Sequence, residues 1–97
     1  MSGLSDEEIR RALDESLPGW RLADGEIVKN FAFGSFMDAI GFIGRVAQKA
    51  EAADHHPDLT NHYNRVRVAI HTWNENAITA KDIALAREIE SSAEPPA

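Results

Sequence analysis

Between Phe36 and Ala50 the apolar residues Phe36, Ala39, Ile40, Ile43, Val46, Ala47 and Ala50 recur at i, i+3, i+4 and i+7, the spacing that puts them on one side of an α-helix. A stripe this long has to be laid against another apolar surface, so the rest of the chain must supply one. Ser35 with Asp38 reads as the cap that opens the helix. Pro57, which lacks an N–H and pushes His56 towards extended backbone, closes it within the segment Asp54-His55-His56-Pro57-Asp58. The glycines Gly41 and Gly44 lower helix propensity, and they predict a close approach of a strand or another subunit.

The flanking segments carry the period of two that such a helix needs as its floor. Trp20, Arg21 and Leu22 lead into Asp24-Gly25, a strong hairpin signal, and Ile27 to Phe33 are rich in β-formers. After the proline, Leu59 to Tyr63 predicts a short strand, and Val66, Val68 and Ile70 alternate with Arg67, Ala69 and His71 as in a sheet buried on one face. Asn74, Glu75 and Asn76 are expected to turn the chain. Two further helices bracket these strands. Ser5 and Glu8 form a capping box ahead of Ile9, Ala12, Leu13 and Leu17, which predicts a helix over 5–16. Thr79 with Asp82 starts the last one, its apolar face made of Ile83, Leu85, Ala86 and Ile89. Residues 91–97, with Pro95 and Pro96, are expected to fray. The order α-β-β-α-β-β-α predicts an α+β fold, a four-stranded antiparallel sheet with three helices packed on one face, and 1–97 reads as a single domain. With 97 residues the chain has room for one modest core.

Composition narrows the function. Ten basic against sixteen acidic side chains give a net charge of -6, which opposes docking on a phosphate backbone, and Arg65 and Arg67, two apart on one strand face, lack an aromatic platform. No nucleic-acid partner is expected. The absence of cysteine excludes disulfides, thiolate nucleophiles and thiolate-bound metal. Asp6, Glu7 and Glu8 stand where a secretory signal would be basic and then apolar, and no run approaches the roughly 20 apolar residues of a membrane span, so a cytoplasmic protein with no membrane partner is expected.

Four histidines draw attention, because imidazole gives and takes protons near neutral pH, and His55 and His56 are adjacent where a helix hands over to a strand. A histidine pair on a loop is by itself compatible with solvated surface, a metal site or catalysis. A metal site would need His62, His71 or scattered carboxylates as further ligands, and none lies at a usual ligand spacing such as H-E-x-x-H. There is no G-x-S-x-G turn for a serine nucleophile and no glycine-rich nucleotide loop. Acid-base work without a covalent intermediate remains the reading these residues suit.

The pair has company: Glu51 ahead of it, Pro57 directly after it, then Tyr63, Trp73 and Asp82, with Gly19-Trp20, Phe31-Ala32-Phe33, Phe36, Ala39 and Val46-Ala47-Gln48-Lys49-Ala50-Glu51 upstream. This set, over roughly residues 4 to 90, resembles the pterin-4a-carbinolamine dehydratases. The resemblance implies loss of water from a 4a-hydroxytetrahydropterin to give a quinonoid dihydropterin, in the recycling of tetrahydrobiopterin, by proton transfers that require no metal or redox cofactor. It implies His55 and His56 as the catalytic acid-base and pterin-contacting residues. Glu51 would orient an imidazole or bind the pterin's amino-pyrimidine edge, Asp54 and Pro57 would shape the loop, Trp20 would wall the pocket, and Asp82 would serve the site or cap a helix. It also implies a homodimer or homotetramer, with the strand from Val66 to Ile70 as an edge to be covered.

Two positions depart from the family pattern. Trp73 stands where members commonly carry a third active-site histidine, and tryptophan cannot shuttle a proton; His71, two residues earlier, would share its side of a strand and so point towards the pocket. Asn76-Ala77-Ile78-Thr79 replaces a Gly-Gly-Leu-Thr-like turn, which predicts a stiffer or reshaped bend. Trp73 favours an alternative function, a non-catalytic protein-binding module on the same fold, as in family members resembling a dimerisation cofactor or an assembly chaperone. A pocket closing around both His55 and His56 would argue for the enzyme.

Overall fold

The computed structural model describes residues 3–73 and 76–93. Helix α1 covers Asp6–Ser16, strand β1 Arg21–Ala23, β2 Glu26–Ala32, helix α2 Phe36–Ala53, β3 Asp58–His62, β4 Arg65–Ile70 and helix α3 Ala80–Ala93. This is the expected α+β order, three helices and a four-stranded antiparallel sheet.

Local chemistry sets the boundaries. The Ser5 hydroxyl accepts from the Glu8 N–H, and the Glu8 carboxylate accepts from the Ser5 N–H in return, which closes the capping box and holds the Glu8 carboxyl below its ordinary value. Asp24 and Gly25 both take positive φ, 52° and 77°, as a two-residue hairpin twisted with its strands requires. Ser35 caps α2 by accepting from the Asp38 N–H.

The strand order is β1-β2-β4-β3, with Ile27 paired to Ile70, Phe31 to Val66 and Leu59 to Val68. On the helix-facing side, Ile27, Phe31, Val66, Val68 and Ile70 meet Ile9 and Leu13 of α1, Ala39, Phe42 and Val46 of α2, and Ile83, Leu85, Ala86 and Ile89 of α3 in one core. Phe42 packs against both Phe31 and Phe33, ring centroids 4.8 and 4.9 Å apart. The other sheet face, which includes Asn30, Thr60, Arg65 and Arg67, has no helix on it.

Three expectations change. The strand expected as an exposed edge is central: β4 returns between β2 and β3 and is hydrogen-bonded on both sides, leaving β1 and β3 as the edges. The expected fraying from residue 91 does not begin there. Helix α3 runs to Ala93, because the buried Ser92 bonds back to the Glu88 carbonyl and its own carbonyl accepts from the Arg45 guanidinium. Residues 94–97, and Asn74 and Glu75 of the expected turn, lie outside the described residues. Gly41 and Gly44 approach no strand among the described residues: a Cβ at Gly44 would meet nothing within 4 Å, and at Gly41 only the tip of Arg45. Among the described residues no helix is long and apolar enough to cross a membrane.

Candidate active site

The histidine pair is positioned by the way α2 ends. Asp54 adopts the left-handed conformation (φ 51°, ψ 44°), its N–H donates to the Glu51 carbonyl at 3.1 Å, and the His55 N–H reaches back to Ala50 at 3.0 Å. These two bonds are a Schellman closure, with aspartate where glycine is usual. The closure turns the chain sharply, and Pro57 then commits it to β3.

The adjacent imidazoles consequently part company. His55 turns in to α3, its Nε2 2.5 Å from Oδ1 of Asp82, with 12% of its side chain exposed and none of Asp82's. His56 turns back along α2, its Nε2 2.6 Å from Glu51, and both partners are exposed. An ionised carboxylate only accepts hydrogen bonds, so in each couple Nε2–H is the donor and Nδ1 is the nitrogen left to exchange a proton with a ligand.

Asp82 is itself held on all sides. Its Oδ2 accepts from the Thr72 hydroxyl and from the Thr79 N–H, each at 2.8 Å, and the two threonine hydroxyls lie 2.6 Å apart. It is therefore both helix cap and histidine partner. The inward alternation Val66, Val68, Ile70 continues to Thr72, which is why that hydroxyl meets Asp82. Thr72 is a site residue that sequence reasoning missed, although the period of two could have flagged it. Beside His55 lies a groove of about 400 Å³ between the end of α2 and α3, bordered by Ala52, Ala53, Ala84 and Leu85 with Lys49 and Lys81 at its rim; His56 is not part of its wall.

The other candidate residues named from the sequence are not gathered around this couple. The same alternation that turns Thr72 inward turns His71 outward, where its Nδ1 lies 3.3 Å from Glu26, so His71 does not point towards the His55–Asp82 couple. Trp73 is 82% exposed. Trp20 is buried at the α1–β1 junction and donates its indole N–H to Glu90, to which Lys29 also pairs. Glu90 lies two turns beyond Asp82, roughly 12 Å along α3, so Trp20 is seated away from the couple. Asp54 and Pro57 shape the loop by the backbone geometry described above. Asn76 takes φ +49°, a conformation glycine adopts freely and asparagine tolerates better than most residues. Among the described residues no three histidine or acidic side chains converge as a metal-ligand set.

Residues 2–92 match the family model described as pterin 4 alpha carbinolamine dehydratase. The chain belongs to that family. Curated members similar to it include a "Putative pterin-4-alpha-carbinolamine dehydratase" from Afipia carboxidovorans, 44% identical over 96% of this chain and 95% of that one. Another of the same name, from Chloroflexus aurantiacus, is 46% identical over 93% and 96%. The dehydratase fold recurs in a crystal structure described as a transcriptional coactivator/pterin dehydratase from Brucella melitensis, with a TM-score of 0.89 and 38% identity over 95% of this chain and 99% of that one. It also recurs in a pterin dehydratase-like protein identified as a RuBisCO assembly factor in the alpha-carboxysome, with a TM-score of 0.68 and 21% identity over 80% and 93%, where the likeness is one of fold.

Proposed function

We propose that this chain dehydrates a pterin-4a-carbinolamine, 4a-hydroxytetrahydrobiopterin, to the quinonoid dihydropterin and water, with His55 and His56 as its acid-base pair, in the recycling of tetrahydrobiopterin. The observation that carries the reading is the two imidazole–carboxylate couples built on consecutive residues, one sealed against α3 and one open to solvent. The chemistry is proton traffic. The C4a–O bond breaks as the hydroxyl takes a proton and leaves as water, the N5–H proton goes to a base, and the N5 electron pair forms the C4a=N5 bond. One imidazolium and one imidazole suffice, and solvent exchange restores both.

Asp82 fixes the His55 ring and stabilises its imidazolium form, while Glu51 does the same for His56 at the solvent boundary. Asp54 and Pro57 hold the two rings in place through the backbone. The groove beside His55 is of a size for a bicyclic ligand, and its small apolar floor suits a flat ring. The test is the dehydration rate of carbinolamine generated in situ by an aromatic amino acid hydroxylase, for the purified protein beside His55→Ala and His56→Ala. We expect a rate above buffer that falls about 10²-fold or more in at least one variant, in the range that general acid-base groups contribute; a rate equal to buffer would refute the reading.

Two observations favour a second reading, a protein-binding module on the same fold. Trp73 projects into solvent where members commonly have a histidine, and the groove walled by His55 excludes His56. Exposed tryptophans are a mark of binding surfaces. In that case the dehydration assay gives the buffer rate, and Trp73→Ala abolishes complex formation without altering stability.

A further inference from the structure

The face of the sheet away from the helices carries a recess of about 440 Å³ walled by Asn30, Ala32, Thr60, His62, Arg65 and Arg67. It is built by register. Arg67, on the central strand, stands opposite Asn30 on one side and Thr60 on the other; Arg65 stands opposite Ala32 and His62. The small Ala32 makes the hollow, and the neighbours on both flanks can donate hydrogen bonds.

The charge pattern is what sets this recess apart. Two guanidiniums two residues apart on one strand face repel each other, and sheets commonly relieve this with an acid on the facing strand. Here the facing residues are neutral or histidine, and among the described residues no carboxylate walls the recess and no ion pair includes Arg65 or Arg67. The nearest acids on this face, Asp58 and Glu26, lie beyond it: Asp58 is paired to Ala69, past Arg67 along β4, and Glu26 is engaged by His71. In a chain of net charge -6 this is a local inversion of sign.

We propose that this recess binds a phosphate group, with Arg65 and Arg67 as a paired guanidinium clamp and Asn30, Thr60 and His62 as additional donors. Guanidinium forks match the oxygens of phosphate in a way that single ammonium groups do not. The site lies on the opposite face of the sheet from the His55–Asp82 couple, so it is separate from dehydration and its occupant is a ligand other than the reacting pterin ring.

The full chain, labelled for amide NMR, is titrated at constant pH and ionic strength with inorganic phosphate, with glycerol phosphate and with single-stranded oligodeoxynucleotides of increasing length. Saturable shifts centred on Asn30, Thr60, Arg65 and Arg67, with half-saturation raised at least fivefold in Arg67→Gln and less in Arg67→Lys, support the site. Tighter binding of glycerol phosphate than of inorganic phosphate assigns it to a phosphate monoester, and equal binding to the free ion. Shifts that never saturate, that are unchanged in Arg67→Gln, or that strengthen steadily with oligonucleotide length overturn it. Arg67 is exposed and outside the core, so the variants should fold, which their thermal unfolding checks.

Discussion

Asp82 is where stability and proposed chemistry meet in one side chain. It is a fully buried carboxyl group, and it is tolerated because Thr72, the Thr79 N–H and His55 satisfy it. Asp82→Ala would leave these donors facing a cavity, and we expect it to lower unfolding free energy by about 3 kcal/mol in urea titration. Asp82→Asn keeps an acceptor and most of the volume, so it should cost less stability while still removing the charge that sustains the His55 imidazolium. Activity falling further than stability in the asparagine variant would mark Asp82 as a positioning residue rather than only a cap. The sequence revealed the types of residue in this site better than their partners. His55, His56, Glu51 and Asp82 are singled out by the family resemblance, but which imidazole faces which carboxylate depends on a left-handed Asp54 that no periodicity announces. His71 went astray for a related reason: Thr72, not Trp73, continues the inward alternation.

At the level of elements, the join between α2 and β3 is the part on which the site most depends. Aspartate in the left-handed region carries a penalty that glycine does not. Asp54→Gly should therefore be neutral or raise stability by up to about 1 kcal/mol, whereas Asp54→Val should lower it by more than that and displace both histidines. Thermal unfolding of the two variants, with the histidine ring resonances as a reporter of displacement, checks both outcomes. The helices and hairpins were readable because each carries its own punctuation: a capping box at Ser5, Asp24-Gly25 in the first turn, Ser35 and Pro57 around α2. The strand order was not. Which of two antiparallel strands lies inside is decided by how a connection crosses the sheet, and β3 and β4 have similar local sequences in that respect; only the denser burial of β4, with Val66, Val68, Ala69 and Ile70 all inside, tells them apart.

For the whole molecule, a domain of this size rests on a small net stability, and its core is correspondingly concentrated. Phe42 is fully buried at the centre, touching the rings of Phe31 and Phe33 from the long helix. Phe42→Ala should cost about 4 kcal/mol, enough to leave much of the population unfolded at elevated temperature, and chemical denaturation measures it. The amphipathic stripe that begins at Phe36 announced a buried helix face but left out Phe42 itself, and three of its members, Phe36, Ile40 and Ala47, remain exposed, with Met37 beside the first two.

The strand order also sets a sequence in time. The β3–β4 hairpin and α2 are made of neighbours, and they can form early and locally. The central pairing of Ile27 with Ile70 must wait until all of α2 and β3 has been looped out between them, and α3 is the last element of the chain. Asp82 arrives with that last helix. The His55–Asp82 couple is thus absent from every partly folded form that lacks α3, so a ribosome-bound chain still short of its final helix carries both histidines but not the buried carboxyl group to which one of them is bonded.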